Sequence, residues 1–304
     1  MNYKITHTTT YQYAEPVAVC HNEARLKPLN AFNQQCLASE IIIDPTPSDY
    51  RDRSDFFGNQ VAYFAILQAH HILRVSAVST VQTLSDDRGL DDNNNLPWEQ
   101  VLTCFQEPRD GDILDAQQYK LTSPLIVVNQ EIASYAERSF LEGRPIVDAV
   151  QDLMERIHRD FTYDPHFTTI ATPLLDVLKH RRGVCQDFAH LAIGCIRSMG
   201  LAARYVSGYI ETTPPEGQPR LVGADASHAW FSVYVPMFGW LDFDPTNNQR
   251  IMEKYVTVAI GRDYFDVTPL KGVIFGGGKH KLDVSVDVAN TDLADAVDTV
   301  VADA

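Results

Sequence analysis

The sequence contains no C-x-x-C pair, no basic start followed by an apolar stretch, and no run near the ~18 apolar residues that would cross a bilayer. Each absence removes a class of protein. Five cysteines, at positions 20, 36, 104, 185 and 195, are odd in number and widely spread, which argues against a disulfide framework or a structural zinc site. Basic residues are also scarce: Lys and Arg total 25 against 40 Asp and Glu, a formal net charge of −15. Such a chain repels phosphate backbones, so no nucleic-acid partner is expected. With no leader and no membrane span in the pattern, no membrane partner is expected, and free thiols in a reducing cytoplasm are the expected setting. H-E-x-x-H, calcium-loop and G-x-S-x-G motifs are missing too, so neither a metal nor a cofactor is expected. Phe275-Gly276-Gly277-Gly278-Lys279-His280 hints at a phosphate loop but lacks its first glycine and its final Ser or Thr, and reads as a glycine-rich turn.

What is present is an ordinary globular composition, 45% hydrophobic and 21% charged, over 304 residues, twice the ~150 typical of one domain. From Tyr3 to about Thr83 the pattern alternates, as at Tyr3, Ile5, His7, Thr9, Tyr11 and Tyr13, and predicts a β-sandwich-like domain. Residues 85–95 are polar and turn-rich, a surface linker. The period then changes. Ile132, Tyr135, Ala136 and Phe140 mark one helix, and Ile146 to Phe161 a second that begins near Pro145. A third is bounded by Thr172 as cap, Pro173 in the first turn and Gly183 as stop. A fourth carries Phe188, Leu191, Ala192, Cys195, Ile196 and Met199 on one stripe and ends at Gly200. Strands follow at 203–210, 228–235 and 240–244, and a loop at 213–217. Helices and strands in blocks give an α+β class.

Cys185 opens the fourth helix, where free backbone N–H groups and the macrodipole favour negative charge, just after Lys179, Arg181 and Arg182. Both features favour a thiolate. A nucleophilic cysteine also needs a histidine to exchange the proton and a third group to hold the imidazole. His228 starts an alternating strand, and Asp244 ends the next one, so a tight turn would set the two side by side. His190 lies on the cysteine's own helix but about 140° round its axis; His180 belongs to a basic helix end and His70-His71 to the β domain. Asp242 rivals Asp244, because residues two apart on a strand share a face. Spacing alone leaves that choice open.

Arg182-Gly183-Val184-Cys185-Gln186-Asp187-Phe188-Ala189-His190, Ala203-Arg204-Tyr205-Val206-Ser207-Gly208-Tyr209, Ser227-His228-Ala229-Trp230 and Gly239-Trp240-Leu241-Asp242-Phe243-Asp244-Pro245-Thr246-Asn247 together resemble the transglutaminase-like superfamily of cysteine proteases, in particular bacterial members with an N-terminal β domain. Phe161-Thr162-Tyr163-Asp164-Pro165 and Gly261-Arg262-Asp263-Tyr264-Phe265-Asp266-Val267 look like further signatures. The resemblance implies a papain-like core of helices on an antiparallel sheet. It implies Cys185 as nucleophile, His228 as general base and acid, and Asp244, directly before Pro-Thr, as the group orienting His228. The Cys185 backbone N–H at the helix start is then a natural oxyanion donor, with Tyr163 as a candidate second donor.

The expected organisation is an N-terminal β-rich domain at 1–90, a linker and helical connection at 91–144, a catalytic core at 145–282 and an acidic tail at 283–304. That tail holds six Asp and no Lys or Arg, with a strand at Val284, Val286 and Val288. The expected activity is thiol-dependent acyl transfer from a peptide or amide substrate, with water as acceptor. Transfer to an amine, as in a transglutaminase, and a non-catalytic peptide-binding module on the same fold are the alternatives. Trp230 and Trp240 are candidates for lining the cleft, with core packing the other option.

Overall fold

The computed structural model describes residues 1–85, 95–106, 111–170, 172–211 and 227–291. Most of the expected linker, the loop at 213–217 and the tail beyond 291 lie outside the described residues. The elements run β1 (Asn2–Ala24), β2 (Gln34–Asp44), β3 (Asp49–Ser54), β4 (Gln60–Ile66), β5 (His70–Thr83), α1 (Trp98–Gln106), α2 (Gly111–Ala116), α3 (Gln130–Glu137), α4 (Ile146–Asp160), β6 (Thr162–Tyr163), α5 (Leu174–His180), β7 (Arg182–Gly183), α6 (Cys185–Ser198), β8 (Ala203–Ile210), β9 (Ser227–Val235), β10 (Gly239–Asp244), β11 (Gln249–Arg250), β12 (Tyr255–Gly261), α7 (Tyr264–Val267), β13 (Leu270–Gly276) and β14 (His280–Asn290).

The N-terminal part is one curled antiparallel sheet of seven strands with β1 as its spine. β5 and β4 lie end to end along one edge of β1, and β14 and β13 lie end to end along the other. One curled sheet thus stands where a sandwich-like domain is expected, with a bend in β1 marked by a register irregularity between Gln12 and Val17, where β1 changes partners. Pro16 sits in the bend, where its missing N–H costs no ladder bond. Opposite it, Gly276, Gly277 and Gly278 all have positive φ, at 98°, 87° and 59°. These glycines turn a corner, as the sequence suggests. The acidic terminus supplies β14 with Val286 and Val288 buried, and residues 270–290 return to the first domain. Residues 270–282, expected within the core at 145–282, thus pair with β1 through β13 and the start of β14.

The second part has a five-stranded antiparallel sheet in the order β11-β10-β9-β8-β12. Ala229, Phe231, Val233, Leu241 and Phe243 belong to one core with Leu191, Ala192 and Cys195 of α6 and with Val150, Leu153 and Ile157 of α4. That core is the reason the fourth helix is buried almost all round. β12 would be an open edge, a liability for a sheet. The first domain covers it with side-chain amides: Gln34 donates to the Thr257 carbonyl at 2.8 Å and accepts from its N–H at 2.7 Å. Asn59 does the same at Ile260, at 2.8 Å each way. Each amide thus replaces one strand residue, at about 1 kcal/mol per bond.

Helix punctuation differs from expectation at α5. Pro173 is its N-cap, and Arg181, with φ 57°, takes the left-handed stop position instead of Gly183. The Arg181 guanidinium is held over the Tyr135 and Phe161 rings, 4.8 and 4.7 Å from their centroids, which compensates the strained backbone. The Thr172 hydroxyl does not cap α5; it accepts from the Thr169 N–H at 2.9 Å.

Candidate active site

Cys185 is the first residue of α6, half-buried, with the helix behind it. β7, two residues earlier, pairs in parallel with β6, so Tyr163 lies across from Gly183. The link is closed by the Thr162 N–H to the Arg181 carbonyl at 2.8 Å and by the Asp164 N–H to the Gly183 carbonyl at 2.9 Å. Tyr163 is 54% exposed. Burial raises its pKa, and the charges of Cys185 and Asp187 raise it further, which sets the phenol within electrostatic reach of the thiol.

His228 stands at the start of β9 and Asp244 at the end of β10, diagonal neighbours across the pair of strands. His228 Nε2 and Asp244 Oδ2 are 2.7 Å apart, with the carboxylate 0% exposed. Asn247 Nδ2 lies 3.4 Å from the same ring nitrogen, and the Cys185 thiol is close enough to act on the ring's charge. Burial works against a charged imidazole, yet the bonds and charges of Asp244 and Cys185 outweigh it and push its pKa up to about 10. Burial also works against a charged Asp244, but His228, Tyr255 and Asn247 outweigh it and hold the carboxyl below its usual range.

A buried carboxylate is stable only if its lone pairs are occupied. Asp244 Oδ2 accepts from the Tyr255 hydroxyl and from Asn247 Nδ2, each at 2.7 Å, and Oδ1 accepts from the Thr246 and Asn247 N–H groups at 2.9 and 3.2 Å. His158 on α4 donates to the Thr246 carbonyl at 3.0 Å and so fixes the turn that carries these donors. The sequence pattern assigns none of these three a role; Asn247 and Tyr255 follow Asp244 by 3 and 11 residues, whereas His158 is brought in from α4 by the fold.

Asp242 shares the face of Asp244, as strand alternation requires, but it is bonded to Ser232 and faces Arg204. The structure brings Asp244, not Asp242, to His228. Neither tryptophan lines the space at Cys185. Trp230 is fully buried with Val206 and Tyr255 beneath His228, and Trp240 packs under Arg204, whose guanidinium is 4.3 Å from its ring. The basic cluster before Cys185 is engaged elsewhere too: Arg181 by aromatic rings, as above, and Arg182 by Asp164 at 3.8 Å. His190 is buried, its Nε2 accepts from the Tyr264 N–H at 3.1 Å, and burial and then Arg197 lower its pKa to about 3. It is a neutral packing group.

Among the described residues, no group of three or more His, Cys, Asp or Glu could hold a metal ion. No helix among them is long and apolar enough to cross a membrane.

Residues 3–82 match the bacterial transglutaminase-like N-terminal region, and residues 133–245 match the transglutaminase-like superfamily. An uncharacterized protein of Mycobacterium tuberculosis (strain ATCC 25618 / H37Rv) is 41% identical over 293 residues, covering 94% of this chain and 92% of its own. One from Mycobacterium leprae is 33% identical over 288 residues, covering 94% and 97%. The crystal structure of "a Putative Cysteine Protease from Cytophaga hutchinsonii" superposes with a TM-score of 0.71 at 22% identity, covering 96% of this chain and 92% of that one, and so shares the fold. A protein-glutamine gamma-glutamyltransferase of Pseudomonas aeruginosa is 27% identical over 125 residues, covering 35% of this chain and 19% of its own. The chain belongs to the transglutaminase-like superfamily. That fold and family point to thiol-dependent acyl transfer.

Proposed function

We propose that the protein hydrolyses a peptide or isopeptide bond through Cys185, His228 and Asp244. The observation that carries this reading is one imidazole bonded at 2.7 Å to the buried Asp244 carboxylate and close enough to the Cys185 thiol for the sulfur to act on its charge. The thiolate attacks the amide carbonyl, and the backbone N–H of Cys185, with Tyr163 as second donor, stabilises the oxyanion. His228 gives its proton to the leaving amine as the C–N bond breaks, which leaves a thioester on Cys185. Water, deprotonated by His228, then attacks the thioester and releases acid and thiol. Asp244 keeps the imidazole turned toward the sulfur throughout. The partner is the peptide or amide substrate, and the five free cysteines fit a cytoplasmic, reducing setting.

Transfer of the acyl group to an amine is the second reading, favoured by the name of the Pseudomonas relative. Peptides and γ-glutamyl amides assayed with and without a primary amine separate the two. Hydrolysis gives free acid in both conditions, whereas amine transfer gives a new amide when the amine is present. Activity that survives unchanged in Cys185→Ala contradicts both.

A further inference from the structure

Asp187 lies two residues after Cys185, and no step of the proposed chemistry uses it. It is 4% exposed, and burial raises its pKa against the opposing bonds from Thr168 and Val184. Its Oδ2 accepts from the Val184 N–H at 2.8 Å and from the Thr168 hydroxyl at 2.6 Å. The first bond is the ordinary reach of an early helix residue back to the amide before the helix. Capping does not account for the second, because Thr168 sits 19 residues upstream in the loop that follows Tyr163. Asp187 also fills the space beside Gly183, where an added Cβ would come within 2.8 Å of its Cβ and Oδ2. Gly183 is the residue paired with Tyr163. One carboxyl group therefore touches the start of the nucleophile helix, the strand before it and the loop beyond the facing strand.

We infer that Asp187 is a positioning residue that, through Thr168 and Val184, holds the Tyr163 wall of the cleft at a fixed distance from Cys185. The inference rests on Cys185 being the nucleophile, as proposed above. It goes further, because a helix cap alone would leave the wall free. Thr168→Val separates the two roles: it keeps the cap and removes only the bond to the loop.

Two readouts test it. Amide hydrogen exchange at 162–164, measured by mass spectrometry, is expected to quicken about tenfold in Thr168→Val, the loss of one hydrogen bond to a charged group. The rate of Cys185 alkylation by N-phenylmaleimide relative to iodoacetamide is expected to rise as the wall retreats. Thr168→Ser is expected to restore both, and Asp187→Asn, which keeps the side chain's size, to show the same quickened exchange. Unchanged exchange and an unchanged reagent ratio in Thr168→Val, with only a lowered melting temperature in Asp187→Ala, would reduce Asp187 to a cap and overturn the inference. The exchange readout does not depend on catalysis. A wild-type Cys185 no more reactive than the other cysteines would break the proposed function, whereas unchanged exchange in Thr168→Val would break this inference alone.

Discussion

Cys20 and Cys185 each sit against a histidine, with a third polar side chain close by. At Cys20 the sulfur is 3.9 Å from His70 Nε2 and accepts from Asn22 Nδ2 at 3.2 Å. Yet Cys20 is 0% exposed inside the first domain, and burial pushes its thiol upward despite bonds from Asn22 and Ile66. His70 donates its Nδ1–H to the Gln68 carbonyl at 2.8 Å, a neutral partner. At Cys185 the equivalent place is taken by a buried carboxylate with its own four donors besides the histidine, at the open end of a helix. Cysteine and histidine in contact therefore do not make a nucleophile. Charge compensation for the imidazolium and access to the sulfur do.

Substitutions at the two places should differ most. Cys185→Ala and His228→Ala are each expected to abolish acyl transfer, by at least about a thousandfold in kcat/KM, while Cys20→Ala leaves kcat unchanged and costs about 1 kcal/mol of stability in urea denaturation. Asp244→Asn is expected to lower kcat by roughly 10²–10⁴, the loss that follows when an imidazole loses its orienting charge; Asp242→Asn, on the same face, should leave kcat as it is. Tyr255→Phe removes one donor from Asp244 and is expected to cost about tenfold in kcat, with KM little changed.

The smallest effect is on stability against pH. His228 has a folded pKa near about 10 against an ordinary 6.5, so its contribution is complete below 6.5 and lost as pH rises toward 10. Asp244 is held below 3.8, so its contribution is present above that value and lost as pH falls through the depressed one. Urea midpoints measured from neutral pH to above 10 should fall more steeply in the wild type than in His228→Ala. Equal slopes would mean that the ring is not held charged.

Much of this was legible in the sequence where the information is local. The periodicity from Phe188 to Met199 and the alternation from Ala203 to Ile210 depend on neighbours a few residues apart, and α6 and β8 appear where those patterns lie. The attachment of β13 and β14 to β1 brings together residues more than two hundred positions apart and leaves no local trace. Arg181 replaced glycine at a helix stop because two aromatic rings hold its side chain, a tertiary effect that overrides turn preference. Within the site, Cys185 and His228 carried signals of position on a helix start and a strand. The choice between Asp244 and Asp242 needed the structure or the family, since strand alternation places both on one face. Tyr255 with one hydrogen bond and Asn247 with two hold Asp244, and no periodic pattern encodes such bonds.

The contrast between the two thiols can be read in one sample. Native protein is treated with iodoacetamide at pH 6, and alkylation of each of the five cysteines is followed by peptide mass spectrometry, in the wild type and in His228→Ala. Cys185 is expected to react at least about thirtyfold faster than Cys20 and the other three, because its sulfur is accessible at a helix start beside the His228 ring. That advantage should collapse in His228→Ala. Slow, uniform alkylation of all five cysteines, unchanged by the loss of His228, would contradict the account.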